Sequence, residues 1–285
     1  MIKRLLPMLF AALPLFAQSD VVDQPFRTLS LGDTLLSLPS SHISGQGMWE
    51  VRFTHRFNQS LSDGSFSDQV HSLFGLDTNA DVVIGLSAAM SRKLQFSFAR
   101  SNTNDTLEGG AKYLVLQQTE TAPLSLALRG GVDWRTERDL GDRTSFFAQA
   151  IVSHQFGRKA EVFIIPTIVT KAGRAVSGTA TQSGALFDHA FNIPVAVAWM
   201  LAPGTSVVAE LTPPNRDLPD DMHADLGWAL GLKRQIGAHW FEILVTNNQS
   251  SLTDQFATTT FQGTPLDASE VHLGFNIERR FGRRR

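Results

Sequence analysis

Histidine and carboxylate are the residue types in this chain that could do acid–base or metal chemistry, and their spacing decides what they can do. The eight histidines, His42, His55, His71, His154, His189, His223, His239 and His272, form neither an HExxH pair nor an H-x₃₋₅-H pair, the spacings that bring two imidazoles to one metal ion. Asp188 beside His189, and Asp220 and Asp221 near His223, set a carboxylate next to an imidazole, the minimum for activating a water molecule. Loops rich in Asp, Asn and Ser produce such neighbours by chance, so no catalytic residue, metal ligand or cofactor is assigned. The acidic run "DLPDDM" lacks the alternating ligands and glycine of an EF-hand loop. There is no cysteine, which removes disulfides, thiolate metal sites and a lipidated N-terminal Cys from consideration.

The other charged residues obey a rule of alternation. In "GMWEVRFTHRF", Gly47 to Phe57, the apolar Trp49, Val51, Phe53 and Phe57 fall on one face of a strand and Glu50, Arg52, Thr54 and Arg56 on the other. In "LSLALRGGVDWR", Leu124, Leu126, Leu128, Val132 and Trp134 oppose Ser125, Arg129, Asp133 and Arg135, and Phe241, Ile243 and Val245 oppose Glu242 and Thr246. Strand charges of both signs recur, among them Glu108, Lys112, Glu210, Asp225 and Lys233. The expected inward-facing set is Glu50, Arg52, Arg56, Glu108, Lys112, Arg129, Asp133 and Glu242, pairing across a lumen that such charges would largely plug.

The elements that position these residues are read from the same period. Twelve strands are expected, at about 48–57, 81–88, 93–101, 106–117, 124–135, 145–156, 161–170, 191–200, 205–212, 223–235, 239–247 and 271–281. Short turns such as "GRKA" and "LAPG" alternate with long polar connections such as "TERDLGDRT" and "PPNRDLPDDM". That alternation is the plan of an all-β, antiparallel up-and-down transmembrane barrel. Trp49, Trp134, Trp199 and Trp240 near strand ends are expected at the membrane interface. A soluble secreted β-sheet protein would alternate too, but only 18% of residues are charged, few for a wet outer face. "EVFIIPTIVT" and "IPVAVAWM" are apolar on both faces and carry Pro166 and Pro194. They would face an inward-folded loop, flank a bulge or belong to a non-membrane core.

The chain divides into an expected signal peptide (1–17), whose Lys3 and Arg4 precede an apolar core, an N-terminal periplasmic segment (18–46), the barrel (47–281) and a basic tail (282–285). Formal charge is −2, which gives no basic field for nucleic acid. "SDQVHSLFGLDTNAD" spaces Val70, Leu73, Phe74 and Leu76 as a short helix would, expected to cap the barrel mouth.

At "MWEVRFTHRF", at "LFGLDTNADVVIGLSAAMSRKLQFSFARSNTNDTLEGGAKYLVLQQ" and at "VHLGFNIERRF", the chain resembles an uncharacterised family of bacterial outer-membrane β-barrel proteins. The resemblance implies a signal peptide, a barrel and the outer membrane, and carries no catalytic residues. "HLGFNIERRF" is similar to the terminal strands read by the barrel-assembly machinery, although Arg279 stands at an expected apolar position. The expected function is non-enzymatic: a narrow pore, or a scaffold for a partner such as a periplasmic protein, embedded in outer-membrane lipid. A lipid or peptide hydrolase in the membrane, or a soluble ligand-binding β protein, are the alternatives.

Overall fold

The computed structural model describes residues 31–136, 144–172, 187–215, 223–262 and 264–282. The expected signal peptide, all but Gly282 of the basic tail, Asp220 and Asp221 lie outside them. Alternating residues favour extended chain, and the turns between adjacent runs return each strand beside its predecessor. The staves are β1 (Trp49–Ser60), β2 (Ala80–Ala89), β3 (Leu94–Ser101), β4 (Thr106–Leu116), β5 (Ser125–Arg135) and β6 (Thr144–Phe156). They continue as β7 (Ala160–Ile164, resumed as Thr167–Ala172), β8 (Phe187–Asn192, resumed as Val195–Ala202) and β9 (Thr205–Thr212). The last three are β10 (Gly227–Ile236), β11 (His239–Thr246) and β12 (His272–Phe281).

Fourteen strand segments thus make one closed antiparallel barrel of twelve staves. Closure pairs β1 with β12, Trp49 opposite Phe281 and Phe53 opposite Ile277. β7 and β8 are interrupted at the expected prolines, which cannot donate to the ladder. Their carbonyls still accept, Pro166 from the Ala150 N–H at 3.0 Å and Pro194 from the Ile165 N–H at 2.8 Å. Outward side chains such as Ile84, Leu86, Phe96, Phe98 and Ile243 are exposed and apolar, as a lipid-facing wall requires. No helix among the described residues is long and apolar enough to cross a membrane.

Two expectations are corrected. Of the segment placed in the periplasm, residues 31–44 fold into the barrel, with Leu31, Leu35, Leu36 and Leu38 fully buried. The helix-like stretch does form α1 (Phe66–His71), but Phe66, Val70, Leu73, Phe74 and Leu76 are exposed and cap nothing. The lumen is instead entered from the long-loop end by the β11–β12 connection, where Leu252 to Thr260 are buried and carry α2 (Thr253–Phe256).

Candidate functional site

The barrel interior has two unlike walls. Phe147, Ile151, Phe163, Ile165, Val169, Ala196, Ala198 and Val208, from β6 to β9, form an apolar one. Charged and amide side chains from β1, β4, β5 and β9 to β12 form the other. Leu31, Leu35, Leu36 and Leu38, with Phe256 and Ala257 of the inward loop, join the same core cluster as the first wall. This is why "EVFIIPTIVT" and "IPVAVAWM" are apolar on both faces: one faces out, and the other faces the leucines of the N-terminal segment.

A segment without regular structure at membrane depth carries backbone groups that water cannot satisfy. In residues 33–40 the chain turns back on itself, Leu35 N–H bonding the Leu38 carbonyl at 2.8 Å and Ser40 N–H the Asp33 carbonyl at 3.2 Å. The charged wall takes up the rest. Glu210 accepts from the backbone N–H groups of Leu36 at 2.7 Å, Ser37 at 3.0 Å and Leu38 at 3.1 Å. Lys233 Nζ donates to the Thr34 and Leu35 carbonyls at 2.8 and 3.3 Å. The Leu36 carbonyl accepts from Arg52 at 2.5 Å, Arg56 at 3.1 Å and Asn276 at 2.9 Å. Lys112 Nζ donates to the Asp33 and Ser40 carbonyls, each at 3.1 Å.

The same side chains pair with one another. Arg52 meets Glu278 at 3.0 Å and Glu242 at 3.6 Å, while Lys233 bonds Glu242 and lies 3.4 Å from Glu278. Arg280 holds Glu50 at 2.9 Å. Two glycines make room. A Cβ on Gly231 would stand 2.9 Å from Leu36 Cδ2, and one on Gly274 would stand 2.7 Å from Arg56 Cδ.

Toward the long-loop end the clamp is on the other inserted segment. Glu108 pairs with Arg129 at 2.5 Å and accepts from the Thr253 N–H at 2.8 Å. Arg129 also donates to Thr253 Oγ1 at 2.9 Å, and Arg135 pairs with Asp254. Asp133 is buried on β5 directly opposite Glu108 of β4. Between the two inserts a cavity of about 130 Å³ remains, bordered by Glu50, Arg52, Lys112, Arg129 and Leu252, room for a few water molecules. A second, of about 260 Å³, sits at the short-turn end beside Asp33, His42, Glu161 and Arg280.

Of the eight residues expected to face inward, Arg52 and Glu242 meet each other, as do Glu108 and Arg129. Arg52, Arg56 and Lys112 meet the inserted backbone, a partner absent from the expectation. The clamp also uses Glu210, Lys233, Asn276, Glu278 and Arg280, all in phase with residues already on the polar faces. Trp240 is corrected: it is 2% exposed, inside the barrel with Arg280 over its ring at 4.5 Å. Period 2 places it on the face of Glu242, away from lipid. Trp49, Trp134 and Trp199 are exposed on the outer side. His189 and His223 are exposed, and His42 is instead the histidine with a buried carboxylate partner, Glu161 at 2.9 Å. Among the described residues no group of three or more His, Cys, Asp and Glu could hold a metal ion.

The family model described as "Membrane bound beta barrel domain" (DUF5777) matches residues 32–281. No curated protein matches the chain. Among solved structures, the NanC porin is similar at 11% identity and a TM-score of 0.49, over 82% of this chain and 100% of that one. Omp33 of Acinetobacter baumannii is similar at 10% identity and 0.45, over 83% and 99%. The outer membrane phospholipase A of Escherichia coli is similar at 12% identity and 0.40, over 82% and 92%.

Proposed function

We propose that this chain, which belongs to the membrane bound beta barrel domain family (DUF5777), is a non-enzymatic outer-membrane barrel whose lumen is held shut by its own N-terminal segment. The observation that carries this reading is the grip of Glu210, Arg52 and Lys233 on the backbone of residues 34–38. Charges lining an open pore would face water and solute. Here they complete the hydrogen bonding of an inserted segment, which makes them structural fasteners of a plug. In the orientation usual for such barrels the short turns face the periplasm, so the segment enters from that side and the β11–β12 connection from outside. Small solutes pass only when the segment is displaced. Trp49, Trp134 and Trp199 mark the lipid interface, and β12 is the strand offered to the assembly machinery.

Planar-bilayer recording tests the reading. The full chain gives no large steady conductance, and deletion of residues 31–44 produces one. A large unselective conductance from the full chain overturns the plugged barrel. The hydrolase alternative is tested separately, by activity of the purified full chain on lipid and peptide panels.

A further inference from the structure

The long connection between β1 and β2 presents an apolar surface where a connection exposed to water would be polar. Its helix α1 is fastened by a capping box, Ser65 N–H and Oγ donating to Asp68 Oδ2, each at 2.8 Å. It is tied to the barrel rim by its one buried residue, Gln69, whose amide donates to the Ser60 carbonyl at 3.0 Å. Within α1, Phe66 and Val70 share one side and Ser67, Asp68 and His71 lie on the other, and in the turn that follows Leu73 and Phe74 are exposed as well. Phe66 is 77% exposed and packs edge-to-face with the Phe74 ring at 6.1 Å, so the helix and the turn after it share an apolar patch built on these two rings. Leu73 and Phe74 take the left-handed backbone at φ 51° and 56°, a conformation disfavoured for both. The fold accepts that strain and still leaves both side chains outward.

The connection leans on the outside of the barrel. Gln59 donates to Ser72 Oγ at 2.9 Å. A Cβ on Gly75 would lie 3.4 Å from the Gln59 carbonyl and 4.0 Å from Phe57 Cβ. Phe57 belongs to the outward aromatic cluster with His55 and Phe275, and it is 7% exposed. The eight residue steps from Trp49 to Phe57 climb roughly 20 Å at ordinary strand rise and barrel tilt. That brings Phe57 near the upper edge of an apolar band ~25 Å tall. The patch therefore continues the lipid-facing wall at the level of the outer leaflet.

We propose that the β1–β2 connection is a membrane-seated anchor. α1 and the turn after it lie on the outer leaflet, with Phe66 and Val70 of the helix and Leu73, Phe74 and Leu76 of the turn among the acyl chains and Ser67, Asp68 and His71 in the water layer. Interfacial amphipathic helices bind lipid this way, by the apolar area they bury. The occupant is acyl chain rather than a second protein, because the patch is continuous with a surface that lipid already covers.

The absence of cysteine from the chain allows a direct test. Single cysteines at Phe66, Val70 and Phe74, and at Ser67 and His71, are labelled with a nitroxide in the full-length protein. Each variant is checked for heat-modifiable gel migration and placed in phosphatidylethanolamine/phosphatidylglycerol vesicles. Collision with oxygen and with a water-soluble nickel chelate is read by electron paramagnetic resonance, with F98C as a wall reference. The expected result is oxygen-favoured collision at positions 66, 70 and 74, matching F98C, and nickel access several-fold higher at 67 and 71. Equal nickel access at all five positions overturns the anchor, since the patch then stands in water. Exclusion of both reagents overturns it too: with spin–spin broadening the occupant is a second copy, and without broadening it is the barrel itself. A variant that fails to fold is replaced by L73C or L76C, which carry the same expectation.

Discussion

The backbone N–H of Leu36 donates to the carboxylate of Glu210 at 2.7 Å, joining residues 174 positions apart in the chain. Glu210 also receives the N–H groups of Ser37 and Leu38, so a single carboxylate holds three successive backbone donors of the inserted segment. The segment's own leucines, Leu31, Leu35, Leu36 and Leu38, pack in one core cluster with Phe147, Ile151 and Phe163 of the apolar wall, so the segment is held on both sides.

Glu210→Gln removes the charge and leaves one acceptor oxygen for three donors. Hydrogen bonds to charged groups contribute on the order of 1.5–3 kcal/mol, and the plug should weaken by about that much. Bilayer recording should then show openings that the native chain lacks, with the barrel's heat-modifiable migration unchanged.

Arg52→Met leaves Glu278 and Glu242 with Lys233 as their remaining cation among the pairs described above. Breaking a buried pair from one side costs about 3–5 kcal/mol, to be read as a fall in unfolding midpoint in urea. The exposed pair Arg100–Asp105, at 2.6 Å, is the control: Arg100→Ala should cost no more than ~1 kcal/mol.

Gly231→Ala places a Cβ 2.8 Å from Leu244 Cβ, 2.9 Å from the Ile243 carbonyl and 2.9 Å from Leu36 Cδ2. Overpacking of this kind costs about 1–3 kcal/mol. Adding Leu36→Ala frees one of the three contacts, so the double variant should be more stable than the sum of the single effects predicts. A double-mutant cycle measures the coupling.

Asp68 titrates below the usual carboxylate range, because the Ser65 backbone N–H and then its hydroxyl donate to it. A folded value below the unfolded one means that the capping box is fully stabilising above about pH 4. The contribution is lost as pH falls through the depressed folded value. The mobility of a nitroxide at V70C should therefore stay constant from neutral pH to about pH 4 and rise only in stronger acid. Asp68→Asn should show the raised mobility at neutral pH.

The barrel was legible in the sequence because its signal is local. Strand alternation has period 2 whatever the partner, so Trp49 to Phe57 announced one face of each kind, and all twelve staves follow from the same reading. Even the misplaced Trp240 carried its answer, two residues before Glu242. The proline breaks at 166 and 194 were visible, and so was the double apolar character around them.

The address of the charged faces was not legible. Residues 31–44 have no period to betray them, and their partners, such as Glu210 and Lys233, lie far along the chain. A mixed-charge lumen reads the same from sequence whether its charges pair with each other or satisfy an inserted backbone. The hydrophobic spacing of Phe66 to Leu76 likewise declared a helix without a direction. The amino-acid sequence by itself determined which residues share a face, since that depends on backbone geometry alone. What each face meets was decided only by tertiary structure, because buried backbone donors and acceptors must find partners in space, and barrel closure chooses which are within reach.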